Sequence, residues 1–414
     1  MPSQHTTEGT PAKEGVVVPL DLPELQIVNQ ECLANGTLRI EVIATTTQAT
    51  CPNCQKRCVK IHDTRPRKKR DISLRGHQVE LILLKRRFRC LHCRKAFTEQ
   101  DAACGWRRKT TTRWREEIGR LACTQPVEHV AQACGVGPRF VRECFEAVAT
   151  QEIEQKGLSL DEQQPLSPPR FLGIDEFARR KGHVYETILC DLEARQVLEV
   201  GSGRKLEEVA ALLERLSDPD AVEAVSMDMS ASFRPAVQLC LPKAQIVVDH
   251  FHVIQHVMKG FKKVLQSWAH KKEGKPLLEG KQSLFLRAKE DLTEKQAQER
   301  ARIGEHLPLL EEAWQLKEAL RAWYATATAD TAAQELDAWI EQVQTFGPEH
   351  LRKTLSAFRN WRQEILAFFQ FLPTRISNGF VEGKNNRTKA MMRQGYGYRN
   401  RQHLRLRILL GKVA

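Results

Sequence analysis

Four of the twelve cysteines stand as two knuckles, Cys51-Pro52-Asn53-Cys54 and Cys90-Leu91-His92-Cys93. A tight turn brings sulfurs i and i+3 together, so each knuckle can give two thiolates to one tetrahedral zinc ion at Zn–S distances of about 2.3 Å. Cys51, Cys54, Cys90 and Cys93 are therefore the expected ligands of a structural Zn2+, with Cys58, His62 and His92 as competitors close by. A second chemistry lies in three acids. Asp175 ends the apolar run Phe171-Leu172-Gly173-Ile174, and Asp228 ends the run from Ala221 to Met227. Glu382 is the single acid among ten basic residues between 373 and 414. Two carboxylates held close together cannot both stay ionised without a cation, so paired acids point to a divalent metal. One aspartate at a strand end is more simply a cap, and one glutamate among cations more simply an ion-pair partner. The elements that carry them decide between these readings.

The 35 residues between the knuckles include Val59 to His62 and the alternating run His77 to Leu83 leading into Phe88-Arg89-Cys90, which reads as a zinc ribbon with a long β-insert. Helical spacing follows over Thr110 to Gln125. A helix beginning at Val127 then stops at Gly135, and Pro138 opens another, which is the grammar of a helix-turn-helix. Its second helix would present Arg139 and Arg142 to a major groove. Pro165, Pro168 and Pro169 mark a linker. Beyond it the order is strand, strand, strand, helix, strand, helix, strand, that of a ribonuclease-H-like α/β core. Its first and fourth strands would be neighbours, placing Asp175 beside Asp228. The stretch from about 255 to 370 carries helical periodicity with Trp314, Trp323, Trp339 and Phe368 as core residues. The expected organisation is an N-terminal segment (1–47), zinc ribbon (48–98), helix-turn-helix (99–150), linker (151–170), α/β core (171–254 and 371–414) and an all-α insertion (255–370).

Charge supports a polyanionic partner. The net +13 is concentrated: residues 51–120 hold 21 basic against 7 acidic side chains, and 373–414 hold ten against one. Arg67, Lys68, Lys69, Arg70, Arg86 and Arg87 on the ribbon would neutralise DNA phosphates. Around Glu382, Lys384, Asn385, Arg387, Lys389 and Arg393 would do the same, together with Arg375, Arg399 and Arg401. A helix starting there would show Glu382, Asn386 and Lys389 on one face. No run of about 18 apolar residues and no secretory leader pattern is present, which predicts a cytoplasmic protein without a membrane partner.

Taken together, Cys51/Cys54 with Phe88 to Cys93, Gly173-Ile174-Asp175-Glu176-Phe177-Ala178, Met227-Asp228-Met229-Ser230, Asp249-His250-Phe251-His252-Val253 and Ser377 to Asn385 resemble the bacterial insertion-sequence transposases of the ISL-three type. The resemblance covers roughly residues 48 to 410. It implies a DDE catalytic triad of Asp175, Asp228 and Glu382 using two Mg2+ or Mn2+ ions, and an α-helical insertion in the core. Asp249 and His252 resemble the Asp-x-x-His element of related transposases, and Asp249 is the rival to Asp228 as a metal ligand. The implied activity is metal-dependent cleavage and transfer of DNA strands. The implied partners are the terminal inverted repeats, target DNA and further copies of the chain assembled on DNA at the nucleoid. A DNA-binding regulator without catalysis and a structure-specific nuclease are the alternatives.

Overall fold

The computed structural model describes residues 20–100, 109–180, 182–395, 397–398 and 400–411. Its contacts divide the chain into two units, one ending at Val148 and the other beginning at Ala149. No helix among the described residues is long and apolar enough to cross a membrane. Arg399 lies outside the described residues.

The first unit opens with seven strands: β1 (Leu25–Cys32), β2 (Leu38–Ala44), β3 (Ala49–Thr50), β4 (Arg57–Cys58), β5 (Ile61–Leu74), β6 (His77–Arg89) and β7 (Ala96–Thr98). One sheet has the order β1-β2-β6-β5 with β7 also on β6, while β3 and β4 pair separately. The β5–β6 hairpin turns through Arg75 and Gly76, both at positive φ (49° and 84°). Such a two-residue turn matches the twist of antiparallel strands. Strand β5 runs straight through the basic stretch, and its position at the sheet edge tolerates Pro66, which has no N–H to give. The structure differs from the expected boundary at residue 48. Ile40 and Val42 of β2 pack on Val79, Leu81 and Leu83 of β6, covering an apolar face that the hairpin alone would leave in water. Part of the N-terminal segment is therefore the second half of the ribbon's sheet.

Three helices follow: α1 (Thr112–Thr124), α2 (Val127–Cys134) and α3 (Pro138–Gln155). The Thr111 hydroxyl caps α1 by accepting the Trp114 N–H, and α2 ends at Gly135 in the left-handed conformation. At Gly119 a side chain would meet Cys144 O and Val148 Cγ2 at 2.5 Å, so α1 and α3 touch backbone to side chain there. Buried Asp71 on β5 accepts from Thr111 Oγ1 (2.6 Å) and Arg113 Nε (2.9 Å), tying the hairpin to the start of α1.

The second unit is built on β8 (Phe171–Arg180), β9 (Val184–Asp191), β10 (Gln196–Ser202), β11 (Ala224–Met227) and β12 (Gln245–Val248), in the spatial order β10-β9-β8-β11-β12. The first three pair antiparallel and the last three parallel. Helices α4 (Leu206–Leu213) and α5 (Phe233–Cys240) cover one face through Val209, Leu213, Phe233 and Val237. On the other face, Phe171, Val247 and Val248 join one continuous core with a helical array. That array comprises α6 (His250–Ala269), α7 (Lys275–Leu278), α8 (Gln282–Leu286), α9 (Glu294–His306), α10 (Pro308–Thr326), α11 (Ala332–Phe346), α12 (Glu349–Arg352), α13 (Leu355–Asn360) and α14 (Arg362–Gln370). Helices α15 (Gly379–Gln394) and α16 (Arg401–Leu410) close the chain. Two expected boundaries shift for packing reasons. Residue 255 falls inside α6, which starts directly after β12 and forms part of the layer over the sheet. The stretch expected as a linker is ordered: α3 extends to Gln155, and Leu166 bonds through its N–H to Arg215 O (2.7 Å) and through its carbonyl to Ser217 N (2.9 Å).

Candidate active site and metal centre

The two cysteine knuckles are built alike. In each, the residue after the second cysteine, Gln55 or Arg94, turns the chain at φ 58°. The Cys51 N–H bonds Lys56 O and the Cys90 N–H bonds Lys95 O, both at 2.9 Å. The turns bring Cys51 Sγ to 3.6 Å from Cys93 Sγ, and Cys54 Sγ to 3.5 Å from Cys90 Sγ. A tetrahedral ion with four Zn–S bonds of about 2.3 Å needs sulfurs about 3.8 Å apart, so the set fits zinc closely. Among the described residues these four form the one set of three or more His, Cys, Asp or Glu whose ligand atoms all lie within 4.8 Å of one another. The Cys93 N–H, against burial, and then the Cys54 thiol hold the Cys90 thiol down to about 6, while against the Lys56 N–H burial and the neighbouring sulfurs push Cys54 up to about 12. Cys58 packs beside the cluster, where burial and then Cys90 push its thiol up to about 11. His62 and His92 are exposed and outside it.

The acids are arranged differently. The parallel register of β8 and β11 sets Gly173 opposite Ser226, so Asp175, two residues further along β8, and Asp228, directly after β11, are neighbours. They line an open cleft of about 510 Å³ with Glu176, Arg204, Lys205 and the Met229–Phe233 loop. Strand β8 does not end at Asp175 as expected but runs on to Arg180. Asp175 Oδ1 accepts the Glu176 N–H and Oδ2 accepts Asn385 Nδ2, both at 2.7 Å. Burial, and then the charge of Asp228, raises the Asp175 carboxyl to about 6. His252 Nδ1 stands 2.6 Å from Asp228 Oδ1 and 3.6 Å from Asp249 Oδ2. Burial opposes its charge, yet the two carboxylates raise His252 to about 10. Asp249 is buried, caps α6 at the Phe251 N–H, and does not line the cleft. Against the effect of burial, His250 and His252 hold it well below the usual carboxylate range.

Helix α15 is stitched to the strand carrying Asp175. Asn378 Nδ2 donates to Ile174 O (2.9 Å), and Gly173 is needed because a Cβ there would lie 2.6 Å from Val381 Cγ2. Glu382 sits one turn before Asn385, half-buried and apart from the cleft lining. The structure thus sets Asp175 beside Asp228 and Asp228 beside His252, with Glu382 one turn before Asn385 on the helix that reaches Asp175.

Residues 172–408 match a family described as transposase, of the ISL3 type, and residues 47–93 match the zinc-finger of transposase IS204/IS1001/IS1096/IS1165. The chain belongs to the ISL3 transposase family. It is similar to the transposase for insertion sequence element IS1001 of Bordetella parapertussis, 29% identical over 383 residues covering 90% of this chain and 91% of that protein. A transposase for insertion sequence element IS1557 of Mycobacterium tuberculosis is 24% identical over 57% of this chain and 58% of its own length.

Within this family member, several cations expected on DNA are committed elsewhere. Arg86 is buried, with Nε and Nη2 on Glu99 Oε2 (3.0 and 2.7 Å) and Nη2 on Thr46 O (2.6 Å). Lys69 is buried too. Arg70 donates to Gly135 O (3.1 Å) and Cys134 O (2.6 Å) at the C-terminus of α2 and lies 4.5 Å over the Trp114 ring. Arg401 is paired with Glu186 (2.9 Å) and Glu162 (2.8 Å). Asn385 serves Asp175, and its neighbour Asn386 is exposed. For Arg86, Arg401 and Asn385 a carboxylate, and for Arg70 two main-chain carbonyls, take the donor in place of solvent. Arg67 and Lys68 are exposed, Lys68 pairing with Glu80, and half-buried Arg87 lies 3.7 Å from Asp63. Arg139 is 92% exposed at the start of α3 beside Glu143, and Arg142 pairs with Glu128 at 3.2 Å. On α15, Arg387, Lys389 and Arg393 are exposed, while Lys384 is half-buried against Phe380. Arg204 and Lys205 in the cleft escaped the sequence reading, since a lone basic pair after a strand carries no periodic signal, and Asn378, part of the Ser377 to Asn385 motif, was given no role there.

Proposed function

We propose that the chain binds the inverted-repeat ends of an insertion sequence and catalyses metal-dependent cleavage and transfer of DNA strands. The observation that carries this reading is the pairing of Asp175 and Asp228 on adjacent parallel strands in an open cleft, with Asp175 pushed up to about 6 by burial and by its neighbour. Facing oxygen donors under mutual repulsion suit a hard divalent cation, so the cleft fits Mg2+ or Mn2+ held by Asp175 and Asp228, with Glu382 as the third acid. Two such ions, when bound, would activate water or a 3′-hydroxyl and stabilise the leaving oxygen. The chain's own residues prepare the site. Asn385 and the Glu176 N–H fix both oxygens of Asp175, and His252, backed by Asp249, fixes Asp228. The strand order β10-β9-β8-β11-β12 supports a ribonuclease-H-like core. The capped α2, the Gly135 turn and the Pro138 start support a helix-turn-helix whose α3 offers Arg139 and Arg142 to DNA. The zinc-stapled sheet supports that module through Asp71 and Arg70. Joining two ends calls for at least two copies on DNA. Replacing Asp175 by Ala should abolish excision while end-DNA binding persists; excision that survives the substitution would overturn the proposal.

A further inference from the structure

The wall of the cleft facing the aspartates is a purpose-built turn between β10 and α4. Gly203 holds φ 87°, and a Cβ there would sit 2.0 Å from the Glu208 carboxylate carbon, so only glycine fits. Glu208 Oε2 accepts the N–H groups of both Arg204 and Lys205 at 2.8 Å. The Gly203 N–H bonds Tyr185 O (2.9 Å), and its carbonyl accepts Thr187 Oγ1 (2.8 Å). The N–H groups of Gly203, Arg204 and Lys205 are thus all taken, and the donors left to face the cleft are the Arg204 and Lys205 side chains. Arg204 lies 3.6 Å over the Tyr185 ring and donates to Glu176 Oε1 at 2.6 Å, while its side chain stays 45% exposed. Lys205 is exposed beside it.

The charge of the cleft makes these two cations consequential. In the proposed function Asp175 and Asp228 are committed to the metals at the scissile phosphate, while Glu176 leaves a negative charge at the rim, so a neighbouring phosphodiester needs donors of its own there. Arginine matches phosphate oxygens in a two-pronged geometry, and its flat face stays stacked on an aromatic ring while it does so. An exposed ion pair such as Arg204–Glu176 contributes little by itself, so exchanging Glu176 for a phosphate is easy. Resting on the proposed function above, we infer that Arg204 and Lys205 are positioning residues that grip a phosphodiester of the DNA strand next to the scissile bond, with Glu176 holding Arg204 ready until DNA arrives.

The test is single-turnover cleavage by the full chain on duplexes of its own terminal repeat, each carrying one neutral methylphosphonate at a different phosphate flanking the cut. At saturating enzyme, the double variant R204A/K205A should cleave bound end DNA at least about tenfold more slowly than wild type. Arg204→Lys should recover part of the rate. At one flanking position the methylphosphonate should slow wild type by a similar factor and leave the double variant unaffected. Equal rates for variant and wild type, or a variant slowed further by the methylphosphonate at every position that slows wild type, would overturn the grip. Cleavage that survives Asp175→Ala would instead overturn the proposed function, and the grip with it.

Discussion

The cysteine centre and the carboxylate cleft are both sets of metal-ligating side chains, yet one is assembled and the other is open. Four sulfurs stand within 4.8 Å of one another on two rigid knuckles. In the cleft, Asp175 is held by Asn385 and Asp228 faces His252, while Glu382 lies on α15, and the three acids do not form a set with all ligand atoms within 4.8 Å of one another. The difference follows from the work each does. A structural ion must be enclosed so that its binding energy becomes folding energy, whereas the proposed reaction would require a cleft that admits a DNA strand and acids whose partners can be exchanged. The same division runs through the arginines: Arg86 and Arg405 are sunk against Glu99 and Glu199, while Arg139 and Arg204 are left reachable.

The contrast is tested most severely at zinc. Structural zinc contributes on the order of 10 kcal/mol in small domains. Cys90→Ser, or strong chelation, should therefore melt the β5–β6 sheet and abolish end-DNA binding, with the unit built on β8 unaffected in hydrogen exchange. Retention of one zinc per chain and of the sheet would break the comparison. A smaller effect is expected at a closed arginine. Despite burial, Arg405 at 2.6 Å, with Arg215, holds the Glu199 carboxyl below its ordinary 4.5. Glu199→Gln leaves Arg405 buried and unmatched and should cost about 3–5 kcal/mol at neutral pH. The sign is that of a depressed acid: the contribution is present above 4.5 and is lost as the pH falls through the folded-state value, so the two proteins should converge in urea melts under acid conditions. A cost that is constant with pH would show that packing, not charge, holds the pair. The least effect is expected at an open arginine. Arg139→Ala should leave stability unchanged, weaken end-DNA binding by about 1–3 kcal/mol and reduce its salt slope by about one. An unchanged affinity would remove α3 from the groove.

Much of the site was legible in local pattern. The knuckles, the Gly135 turn with Pro138, and the strand end at Asp228 are short-range features that the structure places as expected, while β8 runs past Asp175 to Arg180. Long-range pairing was not legible. Nothing in the basic run from Arg65 to Arg70 distinguishes exposed Arg67 from Arg70, which closes the end of α2, because the partner carbonyls lie more than sixty residues away. Asn386 was expected on the face of Glu382 and Asn385 on DNA, but the docking of α15 on β8 selects Asn385 for Asp175.

By itself the sequence determined which chemistries are available, since ligand type and i, i+3 or strand periodicity are properties of a few neighbouring residues. Only the tertiary structure decided which charges remain free to act. Burying an ionised group without a partner is so costly that each interior acid or carbonyl captures a cation from wherever the fold brings one. A third of the arginines counted toward DNA in the ribbon and the tail were taken in this way. The Arg204–Lys205 turn, unremarkable in sequence, was delivered to the cleft by the same folding.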